Sequence, residues 1–307
     1  MKNILHFPLI LIISFVGYSG YPQTISEIIP AAESFPPVTI PRTELRVLHS
    51  NIMNRDFEIY VKLPYSYYLG DSVYPVVYFT DGNRSFPLVE NISFILEFPG
   101  DKVRESIVAG IGYPTNDLSD WSRLRTQDLT PTSVPAVENS TTNYLKKMTG
   151  NENIYVKTGG AAEFMKFIKD ELIPFMEKQY RIDASKRILA GYSYGGLFSI
   201  LFMFHYPETF SKYFAGSPSL GYDQRVIFTY EKDYTLSHND LNASLYMTAG
   251  GQEEEKLIHN VMDMKDTLIK RNYPGFKIKT DVFEGETHQS CYPVAVSRAF
   301  KVLLGTP

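Results

Sequence analysis

The first chemical signal in the chain is five residues long: Gly191-Tyr192-Ser193-Tyr194-Gly195. The apolar run Ile188-Leu189-Ala190 precedes it, and a helical apolar run opening at Leu197-Phe198 follows. A serine between two glycines, where a strand turns into a helix, is the setting of a nucleophile elbow. The turn must be sharp, so backbone segments approach closely, and side chains at Gly191 and Gly195 would clash. It also aims a helix N-terminus at a reacting carbonyl, where the helix dipole favours a developing oxyanion. The chemistry is acyl transfer through Ser193. The competing explanation is a chance Gly-Ser turn.

A serine hydroxyl is a weak nucleophile and needs a base. On a hydrolase sheet the base follows the last strand, near the C-terminus. His288 stands there, in Glu284-Gly285-Glu286-Thr287-His288. The other histidines fit worse. His6 lies in an N-terminal apolar segment, His49 on the first strand and His205 at the end of the helix after the elbow, while His238 is in a polar loop and His259 inside a helical segment. The acid that orients the base falls between nucleophile and base in chain order. Gly250-Gly251-Gln252-Glu253-Glu254-Glu255 follows a strand at the right place, and Glu253 comes earliest. Glu254 is the neighbouring alternative. The three acids also suit a helix N-terminus, and a Ser–His dyad with a dispensable acid stays open. The oxyanion hole combines the backbone N–H of Tyr194 with one from Thr80-Asp81-Gly82-Asn83, so Gly82 and Asn83 are the candidate second donors and Asp81 a loop brace.

These groups need a scaffold. Strand patterns fall at Leu45–His49, Phe57–Leu63, Val76–Phe79, Ser106–Ile111, Arg187–Gly191, Lys212–Ala215, Leu245–Ala249 and Lys277–Phe283. Helical patterns fall near Leu88–Glu97, Ala161–Gln179, Gly195–Phe204, Glu255–Lys270 and Tyr292–Leu304. The alternation predicts a mostly parallel central sheet with helices on both faces and the first two strands as an antiparallel edge; with the elbow motif, the expected architecture is the α/β-hydrolase fold. Within Ala161–Gln179, Phe164, Phe167, Ile168, Leu172, Ile173, Phe175 and Met176 make one wide apolar face, and Pro174 predicts a kink or a lost turn. Asp117–Lys157 has polar clusters and little periodicity, so it reads as a long excursion over the cleft mouth.

The 307 residues are 44% hydrophobic and 21% charged, enough for one sizeable core. A net charge of −4 gives no electrostatic footprint for nucleic acid. Lys2, the apolar stretch Ile4–Val16 and the small residues Gly17, Ser19 and Gly20 read as a signal peptide over 1–20, cleaved after Ser19 or Gly20. The chain is therefore expected to be exported, periplasmic or secreted, without stable membrane insertion after cleavage, the apolar run being short for a bilayer. Residues 21–43, rich in Pro, Ser and Thr, read as an arm, and 44–307 as a single catalytic domain. The one cysteine, Cys291, excludes a disulfide framework and multi-cysteine zinc sites, and it reads as a buried residue at a helix start. There is no HExxH, phosphate loop or dinucleotide fingerprint, so neither metal nor organic cofactor is expected.

The whole pattern resembles the "Putative esterase" family, which includes esterase D-like enzymes, feruloyl esterases and enterobactin-type siderophore esterases. The resemblance runs from about Arg46 to Leu304 and rests on Tyr74–Gly82, Arg125-Thr126-Gln127-Asp128-Leu129-Thr130-Pro131-Thr132, Gly159-Gly160, Glu171–Phe175, Gly195–Phe198 and Ser217-Pro218-Ser219. The siderophore-esterase-like branch is nearest, except that Gly221-Tyr222 replaces the aromatic pair common after Ser-Pro-Ser. The resemblance implies a serine esterase working through an acyl-serine, without cofactor. Its substrate would be a small-molecule or glycan-linked ester of siderophore-like or aromatic type, with Tyr192, Tyr222 and Arg125 as candidate contacts. The alternatives are an acyltransferase serving a sugar or lipid alcohol, a catalytically idle binding protein and, more weakly, a peptidase.

Overall fold

The computed structural model describes residues 38–98 and 102–306. The expected leader and most of the expected arm lie outside the described residues. A compact unit begins at Arg42.

Eight strands form one sheet: β1 (Thr43–Ser50), β2 (Arg55–Lys62), β3 (Tyr74–Phe79), β4 (Ile107–Gly112), β5 (Ile182–Tyr192), β6 (Lys212–Gly216), β7 (Ser244–Gly250) and β8 (Lys277–Phe283). Their spatial order is β1-β2-β4-β3-β5-β6-β7-β8. β2 pairs antiparallel with β1 and with β4, and every later pairing is parallel. All eight expected strands are present, with the antiparallel edge where the pattern put it. β3 shows why the centre reads as a continuous apolar run: Val76 and Tyr78 face one core layer while Val77 and Phe79 face the other.

Helices cover both faces. α1 (Gly82–Leu96) and α9 (Cys291–Leu304) pack on one side. The other side carries α4 (Ala161–Phe167), α5 (Ile173–Gln179), α6 (Tyr194–His205), α7 (Tyr222–Ser237) and α8 (Glu255–Arg271). Between α4 and α5 the chain runs through a π-helical segment, Ile168–Leu172. Pro174 stands just beyond it, and the wider turn takes up the missing donor and the ring clash, so the helical path continues instead of breaking. α1 begins six residues before the expected Leu88, and Pro87 lies inside it.

The excursion Asp117–Lys157 is a correction. It folds into α2 (Leu118–Asp128) and α3 (Pro135–Thr149). Asp117 caps α2 by accepting from the amides of Ser119 and Asp120. The buried residues of α2 are Ser119, Thr126 and Asp128, so the helix has no apolar stripe for a sequence pattern to show. α3 ends on Gly150 in the left-handed conformation, and Leu145, Ile154 and Val156 form a small core beneath it. α7 was likewise not expected; it opens with Asp223, Gln224 and Arg225 all at positive φ, a start no helical periodicity would reveal.

Candidate active site

Ser193 joins β5 to α6 at φ 59°, ψ −117°, a conformation that costs an ordinary side chain about 1–3 kcal/mol. Packing enforces it. A Cβ on Gly191 would lie 2.3 Å from the carbonyl of Gly195, and one on Gly195 would lie 2.2 Å from Thr80 Oγ1. The Ser193 amide donates to the carbonyl of Gly216 (2.8 Å), and its own carbonyl accepts from Leu197 to open α6 (3.0 Å). Tyr194, the first residue of α6, has no intrahelical acceptor for its N–H.

The second candidate oxyanion donor sits at the N-terminus of α1. Asp81 is left-handed (φ 61°, ψ 36°), and its carbonyl accepts from Ser85 (2.9 Å). Gly82 and Asn83 begin the helix and leave their amides without intrahelical acceptors. Gly82 presses on β4: a Cβ there would lie 2.7 Å from the carbonyl carbon of Gly110. The side chain of Asn83 ties this end to the loop after β4, donating to the carbonyls of Tyr113 (2.6 Å) and Thr115 (3.0 Å) and accepting from the Tyr113 amide (2.7 Å).

His288 lies between β8 and α9. Its Nδ1 is 3.3 Å from Glu253 Oε2, with the two side chains 15% and 2% exposed. Of the three successive acids only Glu253 turns inward; Glu254 and Glu255 are exposed, and Glu255 pairs with His259. The acid and base loops are joined through their backbones. Gly251 N–H donates to Phe283 (2.7 Å) and Gln252 N–H to Glu286 (2.9 Å), and a Cβ on Gly250 would lie 2.4 Å from the Glu286 carbonyl. Burial pushes the Glu253 carboxyl up. Hydrogen bonds from His288 and Ser217, the His288 charge and the Gly250 amide outweigh burial and hold it below the ordinary range.

Tyr192, the residue before Ser193, touches His288. Its ring lies 5.1 Å from the His288 ring, and its hydroxyl donates to the His288 carbonyl (2.7 Å). Two serines of Ser-Pro-Ser also belong to the site, though sequence reasoning assigned them no role. Ser217 Oγ donates to Glu253 Oε1 (2.6 Å), and Ser219 Oγ lies 3.4 Å from Ser193 Oγ. The available signal was their place directly after β6, beside the elbow strand.

The expected substrate contacts have their polar ends bonded to the protein. Tyr192 is in the network just described, and Tyr222, buried, donates to the Thr132 carbonyl (2.7 Å) while its ring meets Tyr194 edge-on. Arg125 makes two bonds to Asp81, Nε to Oδ1 (2.6 Å) and Nη2 to Oδ2 (2.9 Å). Its guanidinium also lies over the rings of Trp121 (5.0 Å) and Tyr194 (5.4 Å). Asp81 is thus a brace, as expected, and Arg125 links the helix ends that carry both candidate oxyanion donors. Arg84 lies 4.9 Å from the same Trp121 ring, at the wall of a cavity of about 270 Å³ lined also by Tyr60, Asn83, Thr115 and Asn116. No ion pair is formed by Arg84 among the described residues.

Three other described histidines have local roles: His49 meets Asp56, His205 the Leu201 carbonyl, and His238 stacks on Tyr234. Cys291 is buried at the start of α9, where burial pushes its thiol up and leaves it a poor nucleophile. Among the described residues no cluster of His, Cys, Asp and Glu could hold a metal, and no helix is long and apolar enough to cross a membrane.

The family model described as "Putative esterase" matches residues 50–256. The ferri-bacillibactin esterase BesA of Bacillus subtilis is 30% identical over 274 residues, 87% of this chain and 91% of that protein. The siderophore triacetylfusarinine C esterase of Aspergillus fumigatus is 25% identical over 292 residues, 85% of this chain and 93% of that one. Among solved structures, an IroE-like serine hydrolase from Shewanella oneidensis superposes with a TM-score of 0.71 at 25% identity, covering 85% of this chain and 80% of that one.

Proposed function

The chain belongs to the "Putative esterase" family and is an ester hydrolase, and from that premise we propose that it cleaves siderophore-like esters through an acyl intermediate on Ser193. The observation that carries this reading is the strained elbow at Ser193 next to Tyr192, whose ring and hydroxyl both meet His288, itself paired with buried Glu253.

The steps follow from the chemistry of the groups. Ser193 Oγ attacks the ester carbonyl while His288 takes its proton, and Glu253 holds the imidazole in orientation and stabilises the imidazolium. The amides of Tyr194 and of Gly82 or Asn83 receive the oxyanion at two helix N-termini, where the dipoles add to the hydrogen bonds. His288 then passes the proton to the leaving alcohol. A water activated by the same imidazole releases the acid.

Substrate class is supported by the relatives, two of which are named as esterases of ferri-bacillibactin and of a siderophore. It is supported also by the cavity beside Asn83, where the Arg84 cation and the Trp121 ring suit an aromatic or anionic group. The leader-like N-terminus supports export. The test is hydrolysis of p-nitrophenyl acetate and of a triscatecholate lactone, followed by mass spectrometry, beside Ser193→Ala. Removing the nucleophile of a working triad costs on the order of 10⁶ in kcat. Hydrolysis unchanged in Ser193→Ala would remove this serine from the mechanism, and a lactone left intact by an enzyme active on p-nitrophenyl acetate would refute the substrate class.

A further inference from the structure

The Glu253 carboxylate has its shortest contact with Ser217, not with the histidine it faces. Ser217 Oγ lies 2.6 Å from Oε1, the Gly250 amide 3.0 Å from the same oxygen, and His288 Nδ1 3.3 Å from Oε2. Ser217 is fully buried, sits at φ 38° and is anchored by its amide to the Thr248 carbonyl (2.9 Å). The Tyr192 hydroxyl lies 2.8 Å from Ser217 Oγ and 2.7 Å from the His288 carbonyl.

Counting protons fixes the direction of each bond. An ionised carboxylate and a carbonyl only accept. The single Ser217 proton therefore goes to Glu253, Ser217 Oγ accepts from Tyr192, and the phenol proton is shared between Ser217 Oγ and the His288 carbonyl. The contacts close into a ring: Glu253, Ser217, Tyr192, His288 and back to Glu253.

We propose that Ser217 and Tyr192 are positioning residues that hold the acid–base pair in register with the nucleophile. They act on the reaction only through Glu253 and His288. This rests on the reading of Ser193, His288 and Glu253 given above, in which neither residue takes part in a chemical step. Other groups facing the ring are the Cys291 thiol, 4.0 Å from Ser217 Oγ, the Tyr292 ring, 4.5 Å from that of Tyr192, and Glu286 on the base loop, with Asp81 before α1 and Arg125 of α2 acting on Tyr292.

Without the Ser217 proton, Glu253 Oε1 loses its shortest donor. The carboxylate becomes more basic and grips the imidazolium harder, so the base is freed only at higher pH. The experiment is the pH dependence of Ser193 phosphonylation by a fluorophosphonate probe in wild type, Ser217→Ala, Tyr192→Phe and Ser193→Ala. Alanine is no more strained than serine at this φ. In Ser217→Ala the limb along which the rate rises with pH should move up by about one unit, with about a tenfold slower reaction on that limb, as loss of a hydrogen bond to a charged group implies. Tyr192→Phe should move it in the same direction by less, and it decides the matter if Ser217→Ala does not fold. Profiles that superimpose on wild type, even with a lowered melting temperature, would overturn the proposal, because packing alone does not move a titration. A wild type that fails to label at Ser193 would instead overturn the reading on which it rests.

Discussion

Replacing Arg125 with alanine should damage both stability and turnover. The guanidinium makes two bonds to Asp81, and the partners are only 13% and 9% exposed, so little solvent replaces the lost charge. Breaking a buried pair by removing one partner costs about 3–5 kcal/mol, because the other charge is left uncompensated. At roughly 2–4 °C per kcal/mol for a domain of this size, the melting temperature should fall by about 6–20 °C. Asp81 precedes Gly82 and Asn83, while Arg125 also covers the ring of Tyr194. The two helix ends supplying the candidate oxyanion donors therefore lose their common anchor. A misplacement of about 1 Å can cost on the order of 100-fold, so kcat on p-nitrophenyl acetate should fall by about that factor at temperatures where the variant is folded. Asp81→Asn keeps the left-handed conformation and the side-chain shape. A double-mutant cycle of Arg125→Ala with Asp81→Asn should give a coupling of about 0.5–3 kcal/mol. Calorimetry and steady-state kinetics on the four proteins make the test. A melting temperature and kcat indistinguishable from wild type would refute the clamp. A raised KM confined to anionic esters, with kcat on the neutral ester intact, would show Arg125 to be a substrate contact instead.

Glu253→Gln should lower kcat by about 10³–10⁴-fold, as for other triad acids, while Glu254→Gln should leave it near wild type; damage from Glu254→Gln alone would move the assignment by one residue, and damage from neither would leave a dyad. Because the native structure holds the Glu253 carboxyl below its ordinary value, its contribution to stability is present above about pH 4.3 and is lost as pH falls through the native value. Urea titrations should accordingly show the gap between wild type and Glu253→Gln narrowing below about pH 4, and a gap constant with pH would contradict this. Gly191→Ala puts a Cβ 2.3 Å from the Gly195 carbonyl, which only backbone movement can relieve, so it should destabilise by about 1–3 kcal/mol and remove most activity; a fully active, equally stable variant would show that the elbow is not as tight as described.

The strands, the elbow turn and the histidine after the last strand were legible in the sequence because each depends on local pattern. Alternating or continuous apolar residues mark β1 to β8, two glycines bracket Ser193, and His288 follows the last strand. What pattern could not decide was direction. Glu253, Glu254 and Glu255 are chemically equivalent neighbours, and only the packing of the Gly250 turn against the Glu286 carbonyl points the first inward and leaves the others in water. α2 was hidden for a related reason: its buried face is polar, satisfied by ion pairs with residues distant in sequence, as Asp128 is by Arg55 and Arg125 by Asp81. The roles of Arg125, Tyr192 and Ser217 likewise come from contacts across the fold, spanning 44 residues from Arg125 to Asp81, 96 from Tyr192 to His288 and 36 from Ser217 to Glu253. A side chain's type fixes which bonds it can make, and the tertiary structure alone fixes which partner is within reach.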